Sequence, residues 1–230
     1  TLEKTYRDDR PKFEEYATRL HEGMVGSELI SEPVKDVDFK KDKLEEMMVV
    51  WKRSFDKKLG GNNQAPKFPL PNNYEFMMKY AHLFEDDEVG NHVNNSLLQM
   101  SRGGIYDQIG GGFARYSTDF YWKVPHFEKM LYDNGQMMSV LSQAYSWTNN
   151  NEFKQVVYQT DKWLNREMSL PNGAFYSALD ADSEGEEGKF YIWKKSELKD
   201  ILNEDEFEIV KKVYQVNNNG YWEHDNYMLL

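Results

Sequence analysis

Between Asp107 and Asp182 the chain holds an imidazole, a guanidinium, several carboxylates and several aromatic rings that are expected to converge on one site. His126 and Glu128 stand one residue apart, an imidazole beside a carboxylate, which is the pairing that takes up and returns a proton near neutral pH. Arg115 and Tyr116 come just before them, with Asp119, Trp122 and Lys123 between and Asp107 upstream. A guanidinium offers a rigid fork of donors to oxygen atoms. Aromatic faces stack on the apolar faces of sugar rings while carboxylates take the hydroxyls. The set therefore reads as a carbohydrate site. His126 is the acid/base, Glu128 and Asp182 are its carboxylate partners, and Asp107, Arg115, Tyr116 and Trp122 hold substrate. The matching reactions are epimerisation by proton removal and return, or glycoside hydrolysis between two carboxylates. The plain alternative is that Glu128 offsets a helix dipole, His126 caps a loop and the aromatic rings fill a core.

The elements that position these groups follow from spacing. Gly103-Gly104 closes a helix, and Gly110-Gly111-Gly112 permits tight turns or close backbone approach. Aromatic and β-branched residues from Phe113 to Val124, with Ser117-Thr118-Asp119 as a turn, predict a short hairpin. Pro125 suits the first turn of a helix. Phe127, Met130, Leu131, Met137, Met138, Leu141, Ala144 and Tyr145 then recur at helical spacing and predict a buried helix. His126 and Glu128 fall in its first turn, where the helix dipole disfavours an imidazolium and leaves His126 neutral. Asp133 is either a second carboxylate on that face or the partner of Lys129 four residues earlier, and the spacing favours the ion pair.

Several other chemistries are excluded. Gly110–Gly112 lacks both the G-K-[ST] ending of a phosphate loop and a strand–turn–helix setting. His126-x-Glu128 resembles a zinc deaminase pattern, but that needs cysteines and the chain has none. The same lack removes disulfides, thiolate nucleophiles and cysteine-ligated zinc. Asp180, Asp182, Glu184 and Gly185 fit the start of a calcium loop, yet Tyr191 stands where its bidentate carboxylate belongs, so the run reads as a solvated hairpin tip. No cofactor and no metal are expected. A net charge of −11 and a pI near 5.0 argue against nucleic acid as a partner. No apolar run approaches the ~18 residues of a membrane span, and no signal segment opens the chain, so a cytoplasmic location is expected.

Along the chain, helices are expected over 10–24 (Phe13, Tyr16, Ala17 and Leu20 inward), 43–59 (Leu44, Met47, Met48, Trp51 and Phe55 inward), 72–84 capped by Asn72 or Asn73, 88–102, 152–168, 195–202 and 204–214. Residues 25–40 read as a charged linker around Pro33. APKFPLP (65–71) is too proline-rich for regular structure, and 173–193 reads as two short strands around an acidic turn. Glycine-aromatic-acid loops recur at Gly112–Asp119, Gly173–Asp182 and Gly220–Asp225. Their separation by helices suggests stacked helical hairpins whose loops gather at one end.

The stretch GGIYDQIGGGFARYSTDFYWKVPHFEKMLYDNGQM (103–137), with APKFPLP and ALDADSEGEEGKFYIW (178–193) in matching order, resembles the YyaL, or spermatogenesis-associated, family of thioredoxin-domain-containing proteins. Asn62-Asn63 and Gly135 depart from the family's usual residues. The resemblance implies a thioredoxin-like domain followed by an (α/α) toroid similar to sugar epimerases and six-hairpin glycosidases. On that basis residues 1–24 are the last helix of a thioredoxin-like part absent here, and 40–230 are the first half of the toroid. The expected fold is all-α, a partial (α/α)6 toroid of helical hairpins with small β-hairpins at one rim. The absence of a starting Met and the apolar ending YMLL suggest a piece of a longer protein, self-associating through an exposed half-toroid face. The functional alternative to a sugar or glycan site is a non-catalytic scaffold that accompanies the thioredoxin-like domain.

Overall fold

The structure, a computed structural model, describes residues 2–28 and 40–230. The chain divides into two compact units, residues 1–47 and 48–230. The first carries α1 (Leu2–Asp8), α2 (Arg10–Glu28) and most of α3 (Lys41–Trp51). Ion pairs at helical spacing, Arg10–Glu14 and Arg19–Glu15, support α2. It runs four residues past its expected end, and its apolar stripe is not a core face, for Tyr16 and Leu20 are exposed. Of the expected linker, residues 29–39 lie outside the described residues.

In the second unit the helix expected to reach Leu59 stops early. α3 ends at Trp51 and a single 3-10 turn follows (Lys52–Ser54), because the Asp56 carboxylate takes the N–H groups of Lys58 and Leu59 into a local turn. The next helix, α4 (Pro71–Phe84), starts on proline at its first position rather than on an asparagine cap. α5 (Asp87–Arg102) is capped by Asp86, which accepts from Val89 N. Then come β1 (Tyr116–Ser117), β2 (Pro125–His126), β3 (Lys129–Met130), α6 (Leu131–Thr148) and α7 (Asn151–Trp163), which a π turn extends to Met168. Four short strands follow, β4 (Ala178–Leu179), β5 (Asp182–Ser183), β6 (Glu186–Glu187) and β7 (Trp193–Lys194). α8 (Lys195–Ile201), α9 (Glu204–Val213) and β8 (Asn226–Tyr227) complete the chain.

The helices pair as hairpins α4–α5, α6–α7 and α8–α9, and the first two stack side by side, α4 on α6 and α5 on α7. This is an all-α fold, a portion of an (α/α) toroid. Met77 of α4, Val93 and Leu97 of α5, Val140 and Leu141 of α6 and Phe153 of α7 meet in one buried core. Each such side chain contributes about 1.5–3 kcal/mol by leaving water. The strands form four separate antiparallel pairs, β1–β2, β3–β4, β5–β6 and β7–β8. Two of them, β3–β4 and β7–β8, tie the loop after one hairpin to the loop after the next. Lys123 also donates to the Tyr221 carbonyl, and the Phe127 ring lies 5.8 Å from that of Trp222. The three glycine-aromatic-acid loops thus gather at one rim.

A stronger duplication underlies these loops. Asp56 N donates to Gly61 O, Gly60 N donates back to Asp56 O, and Lys67 Nζ bridges Asp56 Oδ2 and Gly60 O at 2.7 Å each. Asp107, Gly111, Gly112 and Lys129 repeat the pattern, with both Lys129 contacts at 2.8 Å. Each ammonium lies over a tryptophan, Lys67 over Trp122 at 5.5 Å and Lys129 over Trp163 at 5.2 Å. The second glycine of each copy, Gly61 or Gly112, has a positive φ and lies against that tryptophan, where a Cβ would come within 2.6 or 2.7 Å of the ring. Each lysine strand leads into the next helix, α4 or α6. The aspartate turn, glycine pair and lysine are a repeated corner that fixes a helical hairpin to its neighbour.

Candidate functional site

At the gathered rim, β1 and β2 pair Tyr116 opposite His126 and Ser117 opposite Pro125. The turn between them is knitted by Asp119, whose Oδ1 accepts from Tyr121 N and Lys123 N and whose Oδ2 accepts from Val124 N. Its carboxylate is spent on the loop. The pairing stacks the Tyr116 ring on the His126 ring at 5.3 Å, and Phe68 also stacks on Tyr116 at 4.8 Å. Arg115 N donates to Glu128 O, which brings the two side chains together, Arg115 Nη1 to Glu128 Oε2 at 3.5 Å. The same Glu128 oxygen lies 3.8 Å from His126 Nε2. His126 Nδ1 meets Glu187 Oε1 at 2.7 Å. An ionised carboxylate only accepts, so Nδ1 carries a hydrogen toward Glu187, and Nε2 is turned toward Glu128.

The imidazole therefore owes its tautomer to Glu187 and not to a helix dipole. The helix expected from Pro125 begins at Leu131, because residues 125–126 and 129–130 are taken into strand pairs first. Glu187 itself was not foreseen. Its place follows from the two-residue turn Glu184-Gly185, both with positive φ, which sets Asp182 opposite Glu187. A Glu-Gly pair between strand residues is the signal that pointed to it.

The expected site residues fare differently. Arg115, Tyr116, His126 and Glu128 come together. Asp182 is exposed and touches the group only through its register partner Glu187. Trp122 is not a substrate holder. Its left-handed backbone (φ 59) turns the side chain inward, where it is fully buried and Nε1 donates to Leu59 O. Tyr106 and Phe113 of the same stretch are core residues too, whereas Phe175 and Tyr176 in the next loop are exposed. Asp107 is a corner residue, holding Lys129 with one oxygen and the N–H groups of Ile109 and Gly110 with the other.

That reassigns Lys129 and Asp133. Lys129 does not pair with Asp133. It is 2% exposed, and burial pushes its ammonium below the ordinary lysine range against the pull of Asp107. A cavity of about 430 Å³ lined by Asp107, Lys129, Trp163, Arg166, Glu167 and Tyr191 adjoins it. Lys67 makes the same contacts with its side chain completely enclosed, so the arrangement needs no ligand and belongs to the scaffold. Asp133 instead borders a cleft of about 290 Å³ with Phe68, Leu70, Asn72, Asn73, Arg115, Tyr132 and Gln136. Its Oδ2 is buried and has no hydrogen-bond partner among the described residues. Burial raises its carboxyl above the ordinary aspartate range. Arg115 opposes that shift and Glu128 adds to it. Among the described residues no cluster of three or more His, Asp or Glu side chains is arranged to hold a metal ion. None of the described helices is long and apolar enough to cross a membrane.

No protein-family model matches the chain. It is 39% identical over 160 residues to spermatogenesis-associated protein 20 of Homo sapiens, covering 65% of this chain and 20% of that protein. An uncharacterized protein of Caenorhabditis elegans, B0495.5, is 34% identical over 186 residues, covering 73% of this chain and 25% of that one. The chain thus spans about a fifth to a quarter of the length of these relatives. Among solved structures, a sugar epimerase from a ruminal bacterium superposes with a TM-score of 0.52 at 15% identity, over 66% of this chain and 43% of the other. At that identity the likeness is one of fold, and it supports the helical toroid.

Proposed function

We propose that this rim is a carbohydrate-directed site. The observation that carries the reading is the continuous network Arg115–Glu128–His126–Glu187, set against the stacked rings of Tyr116 and Phe68. Glu187 orients the imidazole, Nε2 faces the Glu128 carboxylate, and Arg115 is at hand for a substrate oxygen. Such a group can remove and return a proton beside a sugar carbonyl, the chemistry of an epimerase or isomerase. The fold it shares with a sugar epimerase supports the same substrate class. A glycosidase would need two carboxylates flanking the bond, and Glu128 and Glu187 flank the imidazole instead.

The test is a titration of the protein with D-glucose, D-mannose and N-acetyl-D-glucosamine, followed by amide chemical shifts. Saturable shifts centred on Tyr116 and His126, absent in His126→Ala and Arg115→Ala, are the expected result. No response to any of these sugars returns the other reading, a non-catalytic domain that accompanies a thioredoxin-like one.

A further inference from the structure

Asp133 is a carboxylate beside the rim whose chemistry the network does not use. It lies in the first turn of α6, and the cleft it borders is near the lower end of the ~300–1,000 Å³ typical of ligand pockets. The cleft walls suit one sugar ring better than a chain. Phe68 and Tyr132 are exposed rings, Asn72, Asn73 and Gln136 carry amides, and Arg115 joins the cleft to the His126 network. Within that wall the Asp133 oxygen Oδ2 is sealed from water and bonded to nothing described, so the half-buried side chain meets the cleft through Oδ1. Leaving an ionised carboxylate with one oxygen so placed costs far more than leaving a neutral carboxyl there.

Resting on the carbohydrate reading above, we propose that Asp133 is a neutral, hydrogen-donating acid that contacts an oxygen of a single sugar ring seated in this cleft. The charges around it agree. Glu128 disfavours a second negative charge, Arg115 alone favours one, and Arg115 is shared with Glu128 at 3.5 Å. The acid of α4, Glu75, is engaged by Ser139 and Gln143 of α6. A carboxyl kept neutral in this way does for a ligand oxygen what an amide does, and loses that ability on ionisation.

The equivalence to an amide supplies the test. Asp133→Asn mimics the neutral acid permanently, and Asp133→Ala removes the donor. Affinities for D-glucose, D-mannose and N-acetyl-D-glucosamine are measured from pH 4 to 8 in both variants and the parent, alongside a ¹³C titration of the Asp133 carboxyl. In the parent, binding is expected to weaken as pH rises through the Asp133 titration. Asp133→Asn should keep the low-pH affinity and lose that pH step, and Asp133→Ala should bind roughly fivefold to tenfold more weakly, the loss of one hydrogen bond. Asp133→Asn binding as weakly as Asp133→Ala makes the group an acceptor and overturns the proposal. An ordinary aspartate titration with sugar binding intact overturns it while leaving the carbohydrate reading in place. A raised titration with no binding of any sugar overturns the carbohydrate reading and this assignment with it.

Discussion

Lys129→Met deletes one ammonium from the second corner and leaves a side chain of similar length over Trp163. The structure sets the cost. Asp107 Oδ1 keeps its two backbone donors, but Oδ2 and the Gly111 carbonyl each lose a bond of 2.8 Å beside a largely buried Asp107 side chain. Removing one partner of a buried pair costs about 3–5 kcal/mol, since the other charge stays behind uncompensated. Against a total stability of ~5–15 kcal/mol for a domain, that is a large fraction. At this chain length it lowers Tm by roughly 6–20 °C. Urea titration followed by far-ultraviolet circular dichroism measures the loss. Lys67→Met should lose a similar amount, because the first corner has the same contacts. The double variant Lys129→Met with Asp107→Asn should recover part of the loss, since no bare charge remains and the asparagine oxygen still accepts from the backbone. A Lys129→Met chain as stable as the parent, or more so, would mean that the fold holds this lysine at a cost, as it would a ligand-binding group. That result would refute the scaffold assignment.

Two further outcomes follow from the same core. His92 stacks on Phe55 at 3.6 Å, and burial pushes its imidazole from 6.5 down to about 4, so the folded state favours the neutral ring. The stability it carries is complete above pH 6.5 and falls away between pH 6.5 and about 4, by roughly 3 kcal/mol, and His92→Gln should flatten that limb of a stability-versus-pH curve. Gly61→Ala and Gly112→Ala should each cost more than ~1–3 kcal/mol in urea melts, because a positive φ and a tryptophan face combine at both; a neutral result at either would contradict the corner geometry.

The helices were legible in the sequence wherever one stripe had one meaning. Val93, Leu97 and Met100, or Val140, Leu141 and Ala144, repeat at helical spacing and are buried as that spacing requires. The stripe misled at Phe127 and Met130, which continue the helical spacing backwards from α6 although strand pairing holds their segment extended. Trp122 was misplaced for a local reason, a left-handed backbone that no neighbouring glycine announced. Arg115, Tyr116, His126 and Glu128 were found because they are close in sequence and one hairpin unites them. Glu187 and Phe68 reach the same place only through contacts between distant segments; the Glu184-Gly185 turn marks the place of Glu187 in its own hairpin, but no short spacing ties either residue to His126. The duplicated corner was hidden for a similar reason. Its copies share an aspartate, two glycines and a lysine, and in the second the β1–β2 hairpin intervenes before the lysine.

The most direct measurement is a long-range ¹H–¹⁵N spectrum of the histidine side chains during titration with D-glucose, D-mannose and N-acetyl-D-glucosamine. The account expects His126 to show Nδ1 protonated toward Glu187, and its Nε2 resonance to move saturably with at least one sugar while the buried His92 stays still. A His126 signal that ignores every sugar, or one with the hydrogen on Nε2, would contradict it.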